Sequence, residues 1–145
     1  MIVNMCVKDL TKETTLSMKI PSDKSYIPKV SSDFLMFLRN NGIKECDAFQ
    51  IAFEEALTNA IVHGNGNDLN KKVNIEFNII NDYVEVIIED EGNGFDYIMA
   101  MIGLTESQEN IYKDSGRGIF LISLYADDFY FENNGSKIVM IKYIN

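Results

Sequence analysis

The sequence predicts an α/β fold, a two-layer sandwich with a mixed, mostly antiparallel sheet and helices on one face. Three observations carry this. Helical and strand-like periods come in blocks instead of alternating one for one, which argues against a doubly wound parallel sheet. Two long stretches repeat apolar residues at intervals of three and four. Two pairs of alternating runs are each joined by a short turn rich in Asn, Asp or Gly. A length of 145 residues fits one domain over 1–145, and a composition of 46% hydrophobic and 24% charged residues suits a chain able to bury a core.

The elements follow in order. Thr14 to Ile20 alternates apolar and polar residues and reads as a half-buried strand ended by Pro21-Ser22. From about Pro28, the spacing of Val30, Phe34, Leu35, Phe37 and Leu38 is helical, and Asn40-Asn41-Gly42 supplies the stop. A second helix is expected from Cys46-Asp47 to about His63, closing at Gly64, with Phe49, Phe53, Ala56 and Ala60 as its apolar stripe. Val73 to Ile80 and Tyr83 to Glu89 form a hairpin about Asn81-Asp82. The stretch Asp90 to Ser115 breaks the periodicity and reads as a long functional connection, a lid in which Met99, Met101, Ile102 and Leu104 would fold against a ligand or partner. Gly116-Arg117-Gly118 then opens a short helix through Ile119, Phe120, Ile122 and Leu124. Phe129 to Phe131 and Ile138 to Tyr143 close the chain around Asn133-Asn134-Gly135.

Charge and composition remove several function classes. Lys+Arg 13 against Asp+Glu 22 gives a formal net charge of -9, the wrong sign for a duplex-DNA binder that neutralises phosphates. No apolar run approaches the roughly 18 residues of a membrane span. The first residues lack the basic flank and apolar stretch of a signal peptide, so a cytoplasmic protein is expected. Cys6 and Cys46 are too few for a disulfide framework and are expected to be reduced thiols. With His63 the single histidine, a zinc-hydrolase site or a Ser-His-Asp triad has too little to build on.

Three constellations carry chemistry. Glu55, Asn59 and His63 stand at i, i+4 and i+8 on one helix face. They read either as a solvated polar face or as a general base and an oxygen ligand for Mg2+ one turn apart. Asp90-Glu91-Gly92-Asn93-Gly94 follows an apolar strand. It reads either as an acidic turn or as an aspartate fixed to accept from an amino group such as that of adenine, with Gly92 and Gly94 letting backbone pass a flat base. Ser115-Gly116-Arg117-Gly118 reads either as a loop-to-helix turn or as a helix N-terminus offering free N–H groups to phosphates. It is neither a Walker loop nor a dinucleotide fingerprint, lacking G-K-[ST] and a third glycine at the required spacing.

Taken together and in this order, Glu55-Ala56-Leu57-Thr58-Asn59-Ala60-Ile61-Val62-His63-Gly64, Asp90-x-Gly92-x-Gly94 and Gly116-x-Gly118 resemble the histidine-kinase-like ATPase superfamily, which includes gyrase, the heat-shock chaperone ATPase and the mismatch-repair ATPase. Within it the chain looks most like the small bacterial anti-sigma-factor serine kinases, over nearly its whole length. The resemblance implies the Bergerat-type ATP-binding fold, with ATP and Mg2+ as ligands. It matches Glu55 to the general base, Asn59 to the Mg2+ ligand and Asp90 to the adenine-binding aspartate beside Gly92 and Gly94. Gly116 and Gly118, with Arg117 between them, match the phosphate-binding glycines. Ser136, after Gly135, stands where the family carries a Gly-Thr step near an adenine-linked water, and His63 matches a histidine that positions or packs. Asp114, which would repel a phosphate, occupies the place where some family kinases put an Arg two residues before the first glycine, and Lys113 could make the phosphate contact if the lid backbone shifts by one residue. The departure weakens the case for phosphoryl transfer more than for nucleotide binding, because transfer depends on charge at the moving phosphoryl group.

The implied function is a serine-protein kinase and anti-sigma factor that sequesters a sigma factor, phosphorylates a STAS-type antagonist protein and forms a homodimer, with no direct nucleic acid or membrane contact. The alternative is a catalytically weak or inactive nucleotide-gated binding module of the same fold. A complete two-component histidine kinase is disfavoured, since no histidine lies outside the helix that ends at His63.

Overall fold

The computed structural model describes residues 1–8, 13–99, 101 and 114–144. The elements are β1 (Ile2–Lys8), β2 (Glu13–Pro21), α1 (Ile27–Asn40), α2 (Asp47–Thr58), β3 (Lys72–Ile80), β4 (Tyr83–Glu89), α3 (Asp114–Tyr125), β5 (Asp128–Glu132) and β6 (Lys137–Tyr143). The six strands form one sheet in the order β1-β2-β3-β4-β6-β5. Every pairing is antiparallel, as Phe77 opposite Val86 and Val86 opposite Met140 illustrate. The expected two-layer α/β architecture is therefore present, with a sheet antiparallel throughout its described strands.

Local chemistry explains the boundaries. Asp23 accepts a hydrogen bond from the Ser25 N–H at 2.9 Å and starts a 3-10 turn over Lys24–Tyr26 that runs into α1. Pro28 sits in the first helical turn, where a missing N–H costs nothing. At the other end the Asn41 side-chain amide donates to the Phe37 carbonyl at 2.7 Å, satisfying one of the carbonyls a helix leaves open. The β3–β4 hairpin turns at Asn81, whose φ of 51 lies in the left-handed region that Asn tolerates.

The core lies between the helices and one face of the sheet. Phe34 of α1 meets Phe53 of α2 at a ring-centroid distance of 4.9 Å and Phe77 of β3 at 4.7 Å, and all three are fully buried. Ile75, Val84, Val86, Ile88, Ile138 and Met140 continue this apolar face, each occupying alternate positions of its strand. The opposite face carries Glu76, Asn78 and Glu85. Asn78 is buried there because it accepts from Thr15 and donates to both glutamates.

Two features differ from the sequence expectations. β1 is an additional strand, pairing Ile2 with Lys19 through Lys8 with Glu13. The second helix does not run as a regular α-helix to His63: α2 ends at Thr58 and Asn59–Gly64 widens into a π turn. The Asn65 N–H bonds the Ala60 carbonyl at 2.9 Å, five residues back.

Candidate functional site

A cavity of about 260 Å³ opens between α2, its π turn, α3 and the β4–β6 part of the sheet. Its floor is apolar, from Ala56, Ile88, Ile122 and Ile138, while Asn59, His63, Asp90 and Ser136 bring polar groups to it. A concave apolar pocket with a few converging polar groups is the usual form of a small-molecule site.

The π turn shapes one wall. Asn59 begins it, half-buried, one helical turn after the half-buried Glu55. A Cβ placed on Gly118 of α3 would lie 2.8 Å from the Asn59 Nδ2, so α3 passes over that amide at a distance only a glycine allows. Sequence separation hides this pairing, and the fold creates it. Gly116 and the exposed Arg117 lie in the first turn of α3, where backbone N–H groups lack intrahelical acceptors.

Asp90 leaves the end of β4 at the opposite wall. Its N–H donates to the Ser136 carbonyl at 2.9 Å, and its Oδ1 accepts from the Gly92 N–H at 2.8 Å. The carboxylate rests against Gly64, where a Cβ would stand 2.2 Å from Oδ2, and Gly92 in turn packs on the Gly64 carbonyl. Burial raises the Asp90 pKa; the Gly92 hydrogen bond lowers it, nearby Glu89 raises it further and Lys71 lowers it. The result is a partly desolvated acceptor aimed at an apolar cavity.

Of the residues marked out by the sequence, the fold gathers Asn59, His63, Asp90, Gly94 and Ser136 on the cavity lining and sets Gly118 against Asn59. His63 is exposed at the rim. The Ser136 hydroxyl donates to the Asn133 carbonyl at 2.9 Å, leaving its lone pairs to accept. Glu55 does not reach the lining. Lys113, Ile102 and Leu104 lie outside the described residues, and Met99 and Met101 of the expected lid are exposed. Cys46 is a free, buried thiol at the start of α2.

Sequence reasoning missed three contributors. Phe95 and Phe131 line the cavity with ring centroids 5.2 Å apart at an interplanar angle of 89°. Phe95 directly follows Gly94, the one local signal that could have flagged it. Asn65, directly after the π turn, is buried and hydrogen-bonded to the residue following Asp90. Among the described residues, no group of three His, Cys, Asp or Glu side chains could hold a metal ion, and no helix is long and apolar enough to cross a membrane.

An antiparallel sheet with helices on one face, and a cavity lined by a helical Asn, a strand-end Asp and Ile122 of α3, define a class of two-layer α/β proteins with a small-molecule pocket. A family model described as Histidine kinase-like ATPase domain matches residues 20–142, and the chain belongs to that family. It is also similar to proteins named serine-protein kinase RsbW from Staphylococcus aureus strains JH9, Newman and JH1, each 30% identical over 142 residues, covering 92% of this chain and 89% of the relative.

Proposed function

We propose that this chain is an ATP-binding serine-protein kinase of the anti-sigma type. It would transfer the γ-phosphate of ATP to a serine of a STAS-type antagonist protein and sequester a sigma factor, acting as a homodimer in the cytoplasm. Family membership and the serine-kinase relatives support this reading. The observation that carries it is the convergence of Asp90 and Asn59 on one apolar cavity from separate segments, with Gly118 of α3 packed on the Asn59 amide.

The residues present fit the implied ligands. The half-buried Asp90 carboxylate, held by Gly92 and backed by Gly64, is a fixed acceptor for an exocyclic amino group at the edge of the apolar cavity. Ile88, Ile122, Ile138 and the two phenylalanines supply faces for a purine ring. The start of α3 around Gly116 offers backbone N–H groups and Arg117 one cation to phosphates, while Gly118 lets α3 pass close to Asn59. The Asn59 amide oxygen is a hard ligand of the kind Mg2+ takes alongside phosphate oxygens, and Mg2+ when bound neutralises charge developing on the transferred group. Glu55 would accept the proton of the substrate serine hydroxyl as that hydroxyl oxygen attacks the γ-phosphorus and the β–γ bridging oxygen departs with ADP.

The test is intact-mass measurement after incubation with Mg-ATP and candidate antagonist proteins, in which one added phosphate is expected on the antagonist. Glu55→Gln should reduce that transfer by about 100-fold or more while leaving ATP affinity within about twofold. Equal transfer by the variant would exclude Glu55 as the base. One sequence feature favours a second reading, a nucleotide-gated binding module without catalysis: Asp114 stands where the resemblance expects an arginine near the transferred phosphate. Nucleotide-dependent partner binding with no mass change would select it.

A further inference from the structure

We infer that Asn65 is a positioning residue for nucleotide recognition, locking the backbone around Asp90 so that its carboxylate presents one fixed direction to the base. This rests on the adenine reading of Asp90 given above and adds to it the device that makes the aspartate selective.

Asn65 is only 3% exposed, yet it lies in the connection between the π turn and β3, where polar side chains ordinarily face water. Three of its hydrogen-bonding positions are filled. Its Nδ2 donates to the Ser22 Oγ at 2.8 Å and to the Lys72 carbonyl at 2.9 Å. Its Oδ1 accepts from the Glu91 N–H at 2.8 Å. Ser22 is itself buried, and its hydroxyl donates to the Lys71 carbonyl at 2.8 Å, so the anchor is the start of β3. Glu91 is tied to the same place a second time, because its carboxylate accepts from the Lys72 N–H.

The consequence falls on Asp90. The peptide before its Cα is held by the bond from Asp90 N–H to the Ser136 carbonyl, and the peptide after it by the bond from Glu91 N–H to Asn65. With both flanking peptide planes fixed, only the side-chain torsions remain, and the Gly92 N–H holds the carboxylate. Gly64, the residue before Asn65, is the surface on which that carboxylate lies. One dipeptide therefore supplies both the bed of the aspartate and the clamp on its backbone. A loop acceptor free to rotate would accept from many donors; a clamped one rewards a ligand whose N–H lies on its line.

The test compares ATP with purine riboside triphosphate, which lacks the 6-amino group, by calorimetry on the full chain and on Asn65→Ala. The unsubstituted protein should prefer ATP. In Asn65→Ala the ratio of the two affinities should fall about five- to tenfold, with purine riboside triphosphate bound within about twofold of its original strength. A residue that merely stabilised the fold would weaken both nucleotides alike, and that result, or a preference surviving unchanged, overturns the role of Asn65. Equal binding of the two nucleotides by the unsubstituted protein would overturn the adenine reading of Asp90 as well. Should the variant fail to fold, amide exchange in the unsubstituted protein decides: the Glu91 N–H should be protected at least about tenfold over an open chain. Exchange at the open-chain rate overturns the clamp.

Discussion

Asp90 combines a carboxylate with an environment that disfavours its charge. Burial is the largest influence and raises its pKa, so the folded chain gives up part of the solvation an exposed aspartate keeps. The sign follows from linkage: with the folded pKa above the unfolded one, the penalty is absent at acid pH, where both states are protonated. It grows as pH rises from the unfolded toward the folded pKa, and is complete above that. Asp90→Asn removes the charge while keeping an oxygen that can accept from Gly92. The free variant is therefore expected to melt about 1–5 °C higher than the unsubstituted protein at neutral pH. That gain should vanish as pH falls below about 4, where an unfolded aspartate is protonated. Nucleotide binding should move the other way, with ATP affinity about tenfold lower or worse because an amide accepts more weakly than a carboxylate. Scanning calorimetry across pH, with and without ATP, reads both. A variant that gained stability and kept its affinity would dissociate Asp90 from the ligand.

At the scale of elements, the meeting of α3 with the π turn matters most, since it brings Gly118 onto Asn59. A methyl at Gly118 would press on the far end of a side chain, and Ala is a better helix former than Gly by about 1 kcal/mol, so the fold should tolerate Gly118→Ala nearly unchanged. The displaced amide, however, is the proposed magnesium ligand. Affinity for ATP in the presence of Mg2+ should drop about tenfold, by analogy with losses when a metal ligand is misoriented, and without Mg2+ it should change little. Titrations with and without the ion test this. The elements themselves were legible to unequal degrees. α1, α2 and the β3–β4 hairpin declare themselves because burial on one face imposes a period: Phe49, Phe53 and Ala56 are all buried, and so are Val84, Val86 and Ile88. β1 escaped because it is an edge strand with Ile2, Val3 and Met5 all exposed, so no buried face disciplines its pattern. The π turn escaped because one extra residue per turn leaves the apolar spacing of Ala56, Ala60 and Ile61 looking helical. In the site, Asn59 and Asp90 stood out by residue type and context. Asn65 did not, because an Asn after His-Gly looks like an ordinary helix stop.

For the whole molecule, core and cavity share α2 and the residues Ala56, Ile88, Ile122 and Ile138, while the aromatic centre of the core stands apart from the cavity. Phe34, Phe53 and Phe77 form the aromatic centre, and none of them lines the cavity. α2 belongs to both, through Phe49 and Phe53 at one end and Ala56 leading to Asn59 at the other. Phe34→Ala should cost about 3–5 kcal/mol, since the ring is fully buried and its neighbours are themselves too constrained to collapse. In a chain of this size that is a melting decrease on the order of 10–15 °C. A ligand that binds only the folded state adds about 2.7 kcal/mol at a concentration 100 times its dissociation constant, whatever the stability of the protein it meets. If the aromatic centre and the cavity are energetically separate, saturating Mg-ATP should stabilise Phe34→Ala and the unsubstituted protein by free energies equal within about 0.5 kcal/mol. A much smaller gain in the variant would mean that the rings of α1 and α2 hold Asn59 in place through the helix they share. The nucleotide site would then be a property of the packed core as a whole and not of the loops that border it. Denaturant melts at fixed nucleotide saturation distinguish these outcomes directly.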